Sequence, residues 1–299
     1  MAGHLIAICA DLHCGSTIGL CHKDPVELDD GGFYRPSKGQ QYLWKCWTEG
    51  WRKVKSMARS KRLHFILNGD AIDGDHHRTP QLASRLSGTQ VGMALKVLET
   101  PLALKPSAIH IMRGTPVHVG SSAQTEEGLA RTLAAQGHPV IKDPDIHTYS
   151  SYRRRIDIEG VRLDVAHHGR AGTRAHTRGS MSKLYSFDVW AEQALTCLKD
   201  MQGAEHMIER EEIYQRKRPC DIAIRSHNHK YMDSGFDSRG VTRVIGTPAF
   251  QLATEYIYKL AAEALADLGI LCLKISKEGK VSVHPILFEA KRSTVIKGS

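Results

Sequence analysis

Two histidines, His227 and His229 in Ser226-His227-Asn228-His229-Lys230, follow an apolar run, Asp221-Ile222-Ala223-Ile224, that reads as the end of a buried strand. Side chains at i and i+2 of an extended segment point the same way, so both imidazoles can face one site. The signature recurs along the chain. Short apolar runs end in Asp11-Leu12-His13, in Asn68-Gly69-Asp70 with Asp73 close behind, in Arg113-Gly114-Thr115 with His118 close behind, and in His167-His168-Gly169. Ligands of open α/β sheets collect beyond the carboxyl ends of the strands, so these clusters should converge in space. Converging aspartates and histidines make a metal site. Mixed carboxylate and imidazole donors suit Mn²⁺, Fe or Zn²⁺, and so many donors exceed the needs of one ion, so two ions bridged by a carboxylate is the economical reading. Apart from the nearby Cys14 no thiol joins the clusters, which disfavours a structural zinc site.

The elements that must position these residues follow from periodicity. Leu5 to Ala10, Leu63 to Leu67 and Ala108 to Met112 are short, nearly all-apolar runs expected of strands buried on both faces, with a fourth short strand expected over Pro139 to Lys142. Helical spacing covers 37 to 59, with Ser37 as N-cap and Leu43, Trp44, Trp47, Trp51, Val54 and Ala58 on one stripe, which makes the tryptophans core residues. Further helices are expected at 81 to 99 and 123 to 136, and strand–helix alternation implies βαβ units in a mostly parallel sheet. The second half changes character. Tyr152 to Ile158 and Val161 to Ala166 alternate around Glu159-Gly160 as a hairpin, 181 to 215 reads as one or two helices, and antiparallel pairs are expected for Lys230 to Phe236 with Val241 to Ile245 and for Leu271 to Ile275 with Val281 to Leu287. No repeat or linker divides residues 1–299, so a single domain with a two-sheet core is expected.

A chain of 299 residues, 41% hydrophobic, is long enough for a substantial core, and its formal net charge of +9 favours polyanionic partners. Seven scattered cysteines without a CxxC pair argue against a disulfide framework and for reduced thiols in a cytoplasmic protein. The apolar run before Asp11 is too short for a signal peptide or membrane span.

Taken in order, Asp11-x-His13, Gly69-Asp70-x-x-Asp73, Gly114 at a strand end, His168 before a glycine, and His227-x-His229 resemble the DxH, GDxxD, GNH(D/E), H and GHxH blocks of the calcineurin-like metallophosphoesterase superfamily. The resemblance spans residues 7 to 230. It implies a four-layer α/β/β/α sandwich of two mixed sheets with flanking helices, and a dimetal site at the strand C-terminal ends. It implies that Asp11, His13 and His229 hold one metal and His168 and His227 the other, that Asp70 bridges them, and that Asp73 orients a ligand or loop. Where the family has Gly-Asn-His this chain has Gly114-Thr115-Pro116-Val117-His118. Thr115 is then expected as a weak oxygen ligand with a looser second metal, and His118 as the general acid if the proline bends the loop. Ser226 replaces the family's glycine, a small-for-small change.

The expected activity is that of a metallophosphoesterase attacking phosphodiesters with a metal-bridging hydroxide, with Mn²⁺ ahead of Fe or Zn²⁺ as the cofactor pair. Nucleic acid, DNA or RNA, is the leading substrate, because the basic charge is joined by an arginine-rich stretch, Arg170 to Ser180, in which Arg170, Arg174 and Arg178 can grip phosphates bidentately, with Arg113 as a further contact. About 70 residues after the last ligand leave little room for a capping segment, so a compact member that resembles phage-encoded phosphoesterases is expected. A phosphomonoesterase or cyclic-nucleotide phosphodiesterase would use the same metals with a smaller pocket. A non-catalytic metal-binding scaffold is the alternative of a different class, and the altered Gly-Thr-Pro block is where such a loss would begin.

Overall fold

The structure, a computed structural model, describes residues 3–169, 175–255 and 265–290, with backbone alone for 175–182. The first half runs β1 (His4–Cys9), β2 (Val26–Glu27), β3 (Phe33–Tyr34), α1 (Lys38–Ala58), β4 (Arg62–Asn68), α2 (Ser87–Leu102), β5 (Ala108–Met112), α3 (Pro116–Val119), α4 (Gln124–Ala135) and β6 (Ser150–Ser151). The second runs β7 (Arg153–Ile158), β8 (Val161–Ala166), α5 (Ala175–Gln202), α6 (Met207–Lys217), β9 (Ile222–Arg225), β10 (Met232–Asp233), β11 (Arg243–Gly246), β12 (Leu268–Ile275) and β13 (Val281–Phe288). One sheet has the order β13-β12-β1-β4-β5-β6, parallel through β1, β4, β5 and β6 and antiparallel at β12 and β13. The other has the order β10-β11-β9-β8-β7, with β8, β9 and β11 parallel.

Alternation along each strand sorts side chains into layers. Ile6, Ile8, Ile66 and Met112 face Leu163, Val165, Ile222, Ile224 and Ile245 across the gap between the sheets. On the outer face of the first sheet, Leu5, Ala7, Phe65 and Ile111 meet Trp47 and Trp51 of α1, Met93 and Val97 of α2, and Leu129 and Leu133 of α4. On the outer face of the second, Ala223 and Val244 meet Val189 of α5. The result is a four-layer α/β/β/α sandwich of two mixed sheets. Among the described residues no helix is long and apolar enough to cross a membrane. All seven cysteines are free and buried.

The helix over residues 37 to 59 forms with a full capping box: Ser37 Oγ accepts from Gln40 N, and Gln40 Oε1 accepts from Ser37 N at 2.9 Å. Three elements differ from expectation. The strand expected over Pro139 to Lys142 is a single bridge between Val140 and Ile109, and β6 takes the sheet edge instead. Pro139 has no N–H, so only its carbonyl pairs, accepting from Ile109 N at 2.9 Å. The helix expected from residue 81 begins at Ser87, because Ser84 Oγ takes the Leu86 amide at 3.1 Å and turns the chain first. The arginine-rich loop expected over 170 to 180 is helix from Ala175 onward; Arg170 and Arg174 lie outside the described residues, as does the side chain of Arg178.

Histidines close the end of the sandwich away from the strand C-termini. His4, His64 and His110 stand on neighbouring strands; His4 Nδ1 lies 2.9 Å from His64 Nε2, and His4 Nε2 lies 3.0 Å from Glu159 Oε1 of the opposing hairpin. Buried Arg154 reaches across with Nη1 3.3 Å from His110 Nδ1, while Arg153, on the other face of β7, pairs with Asp164 at 2.7 Å. Burial, aided by the neighbouring His4 and Arg62, lowers the His64 pKa to about 4, and burial with Arg154 lowers His110 to about 3. Both histidines therefore fold neutral. Their contribution to stability is fully present above the ordinary value near 6.5 and is lost as pH falls towards 4. The urea midpoint should drop between about pH 7.5 and about pH 5, and His110→Leu should shrink that drop; an unchanged drop would remove His110 from this account.

Candidate metal centre

Where the inner strands run out, their hydrogen bonding continues through the loops. Asp11 N donates to Gly69 O, His13 N to Asp70 O and Cys14 N to Ala71 O, each at 3.0 Å, so the loops after β1 and β4 travel side by side. Phe250 N donates to Asp11 O at 3.1 Å and completes the floor. The backbone turns sharply at the polar residues: Asp11, His13, Asp70, His227 and His229 all adopt left-handed conformations, with φ of 53°, 45°, 52°, 69° and 51°. Each such residue costs roughly 1–3 kcal/mol, so the fold holds these five in place against local preference. Gly114 is needed for a different reason: a Cβ there would lie 2.1 Å from Asp70 Oδ1.

Two donor sets result. In the first, Asp11, His13 and His229 converge, with His229 Nε2 3.2 Å from Asp11 Oδ1 and 3.3 Å from His13 Nε2. His13 Nδ1 donates to Asp73 Oδ1 at 2.9 Å, which fixes the tautomer and leaves the Nε2 lone pair facing the site. In the second, His167, His168 and His227 surround Thr115, whose Oγ1 lies 3.3, 3.3 and 3.1 Å from their nearest ring nitrogens. His167 Nδ1 donates to Asn68 O at 2.7 Å, again turning Nε2 inward. Asp70 lies between the sets. It groups with Asp11 and His167 on one side and with His13 and His118 on the other, and its carboxylate accepts from Thr115 N at 2.7 Å and Thr115 Oγ1 at 3.0 Å.

The donor chemistry fits divalent ions. Asp11 is fully buried, and its Oδ1, though 3.2 Å from His229 Nε2, forms no hydrogen bond, an unfavourable state for a carboxylate oxygen unless a cation completes it. Imidazole nitrogens facing one another at 3.3 Å gain little without a cation between them. Burial opposes ionisation of Asp70, but His167 overrides it and holds the carboxyl well below its usual range. In turn burial would lower His167, yet Asp70 and Asp11 raise it to about 10, so in the metal-free protein an imidazolium supplies positive charge.

The sequence points to His168, which directly precedes a glycine, rather than to His167. In the structure His167 is fully buried with Nε2 2.9 Å from Asp70 Oδ2, whereas His168 is exposed on the rim. Strand phase carries the signal, since Val161, Leu163, Val165 and His167 alternate onto one face, and the first three line the gap between the sheets. Thr115 caps the one-turn helix α3 with Pro116 at its first position, where a proline needs no N–H partner, and this turn swings His118 back to the site. His118 Nδ1 donates to Asp73 O at 2.6 Å. Burial, with the neighbouring His13 charge, lowers its pKa to about 4, so neutral His118 offers an Nε2 lone pair in place of the acidic proton expected of it. Arg113 does not point to the site. Its guanidinium is engaged by Ser150 Oγ at 3.0 Å, by Glu127 at 3.9 Å and by the Tyr152 ring. Cys14 is buried in the apolar core and burial pushes its thiol pKa up, so it supplies no thiolate. His76 is close, with Nε2 3.5 Å from Asp73 Oδ2 and its ring edge-on to His118.

Glu126 is the residue no sequence motif indicated. On the first turn of α4 and 1% exposed, it accepts from Ala71 N at 3.2 Å and from Gly114 N at 2.6 Å, the residues adjoining Asp70 and Thr115. It thereby clamps two ligand loops together. Burial, reinforced by the Asp70 charge, raises its pKa to about 8. Glu126→Ala should leave two buried amides without acceptors and lower unfolding free energy by about 2 kcal/mol in urea titrations, with weaker metal retention on dialysis. In parallel, His167→Asn should remove about one equivalent of bound metal by elemental analysis, while His168→Asn retains more. Equal losses from the two variants would refute the deeper role given to His167.

No family model matches the chain, and no curated protein matches it. Solved structures that align with it include Vps29 complexed with Zn²⁺ from Entamoeba histolytica (TM-score 0.36, 11% identity, 95% of this chain and 99% of that one) and protein TM1076 of Thermotoga maritima (0.35, 10%, 95% and 99%). A 5'-nucleotidase from Candida albicans aligns at TM-score 0.38 and 10% identity over 96% of this chain, which spans about half of the nucleotidase. At such values the functional reading rests on the centre's own geometry. The layer order, and the succession of Asp11, His13, Asp70, His227 and His229 at strand ends, are those expected from the sequence motifs.

Proposed function

We propose that the protein is a metal-dependent phosphoesterase that hydrolyses phosphodiester bonds, with nucleic acid as its substrate class and Mn²⁺ as the native metal. The observation that supports this most is the shared carboxylate: Asp70 lies within ligand range of donors from both sets. Asp11, His13 and His229 would hold one ion, His167, His168, His227 and the Thr115 hydroxyl the other, and Asp70 both. A divalent pair at such a site supplies a nucleophilic water near neutral pH and offsets charge on the phosphoryl oxygens. The chain's own residues do the rest. Asp73 holds His13 in its ligating tautomer, and Asn68 does the same for His167. His118, anchored through Nδ1, presents Nε2 to relay a proton from solvent to the leaving oxygen as charge builds there. The net charge of +9 draws a polyanion to the centre, and Arg170, Arg174 and Arg178, which follow His168 in sequence, are the proposed phosphate grips.

The test is hydrolysis of bis-p-nitrophenyl phosphate and p-nitrophenyl phosphate in chelator and after Mn²⁺ is restored, with single-stranded and duplex DNA alongside. Mn²⁺-dependent cleavage of the diester and DNA is expected. Asp70→Asn should lower kcat by a hundredfold or more, about 3 kcal/mol of transition-state stabilisation. Turnover of the monoester alone would replace the diesterase reading, and no turnover with metal bound would end the enzymatic one.

A further inference from the structure

Among the described residues nothing covers the outer face of α5. Its inner face, with Ser186, Val189, Gln193 and Cys197, is buried against the second sheet. On the opposite side Leu184, Phe187, Leu195 and Leu198 are 61%, 52%, 66% and 54% exposed. Single exposed apolar residues are ordinary on a surface, but four along one helix face mark an interaction site. At 100° per residue all four fall within about 40° of Ala191 around the helix axis. At the start of α6, Met207 and Ile208 are more exposed still, at 85% and 76%.

The spacing identifies the occupant. Leu184 and Leu198 each lie seven residues from Ala191, and Phe187 and Leu195 each lie four. A stripe symmetric about its midpoint reads the same in both directions and is therefore complementary to itself when two copies run antiparallel. A twofold axis at Ala191 sets Leu184 against Leu198 of the partner subunit and Phe187 against Leu195 of the partner subunit, and the reverse, as an isologous contact requires. The small residue at the axis lets the helices approach closely. Charge agrees. The stripe is bordered by Lys183, Asp188, Glu192 and Lys199, two positive and two negative, a sum of zero on a chain whose net charge is +9. This patch therefore lacks the basic field that would draw nucleic acid or an anionic membrane, and two copies meet there with little net repulsion.

We propose that the outer face of α5 is a homodimer interface, in which a second copy of the chain packs antiparallel across a twofold axis at Ala191. The wild-type protein should sediment at twice the chain mass across the micromolar range. Leu195→Glu places a carboxylate against Phe187 of the partner subunit twice per dimer, and should sediment at the chain mass with unchanged circular dichroism and metal content. Ala191→Cys should be cross-linked by a short bis-maleimide about tenfold faster than Glu192→Cys, whose thiol lies off the axis; the native cysteines are buried and contribute little background. A wild type that stays at the chain mass, a dimer that survives Leu195→Glu, or equal cross-linking at the two positions would each overturn the interface.

Discussion

The centre depends on burying the Asp70 carboxylate, 1% exposed, beside the fully buried Asp11. Two carboxylates cannot share a dry interior unless positive charge or donors answer them. The fold answers with donors from elements distant in sequence: the Thr115 amide and hydroxyl from the loop after β5, and the His167 imidazole from the end of β8. Without a cation, His167 carries the compensating proton. A cation held there would take over this role from the proton, so that metal binding and proton release would be coupled through the same side chain. The left-handed backbone at five ligand residues has the same origin. Strands that continued in extended geometry would carry Asp11 and His13, or His227 and His229, along one face and away from the sheet edge, whereas the left-handed turns there fold them back into one site.

The sequence makes plain whatever depends on local spacing. The runs that end in Asp11, Asp70, Thr115 and His227 are nearly all apolar because the strands are buried on both faces, and the capping box at Ser37 and Gln40 is spelled out over four residues. What depends on long-range packing is not written there. Glu126 lies 55 residues from Ala71 and 12 from Gly114, with nothing in its surroundings in α4 to set it apart from Glu127, which instead accepts from Ser150. Between His167 and His168, the neighbouring glycine and the strand phase point to different residues, and burial follows the phase. The return of His118 depends on a four-residue helix too short for any periodicity to reveal. The strand expected near Val140 failed because a proline at its start removes a donor, a local fact that apolar periodicity outweighed.

The distance between the two donor sets is fixed by a residue that belongs to neither. Asn68, the last residue of β4, sends its Nδ2 across the gap between the sheets to Ala166 O at 3.1 Å and to Ser226 Oγ at 2.6 Å, while its own carbonyl receives His167 Nδ1. One side chain thus ties the end of a central strand in the first sheet to the ends of β8 and β9 in the second, the strands that lead into His167, His168, His227 and His229. Ser226, where a glycine would offer no hydroxyl, is part of this tie, and it bonds onward to Thr247 at 2.7 Å. The Ser226 hydroxyl, small as it is, is therefore one of the hydrogen bonds that join the sheets. At the far end of the sandwich His4 and Glu159 span the same gap. The two sheets are pinned at both ends, apolar between, and the strained ligand loops rest on a frame whose spacing is set by hydrogen bonds rather than by packing alone.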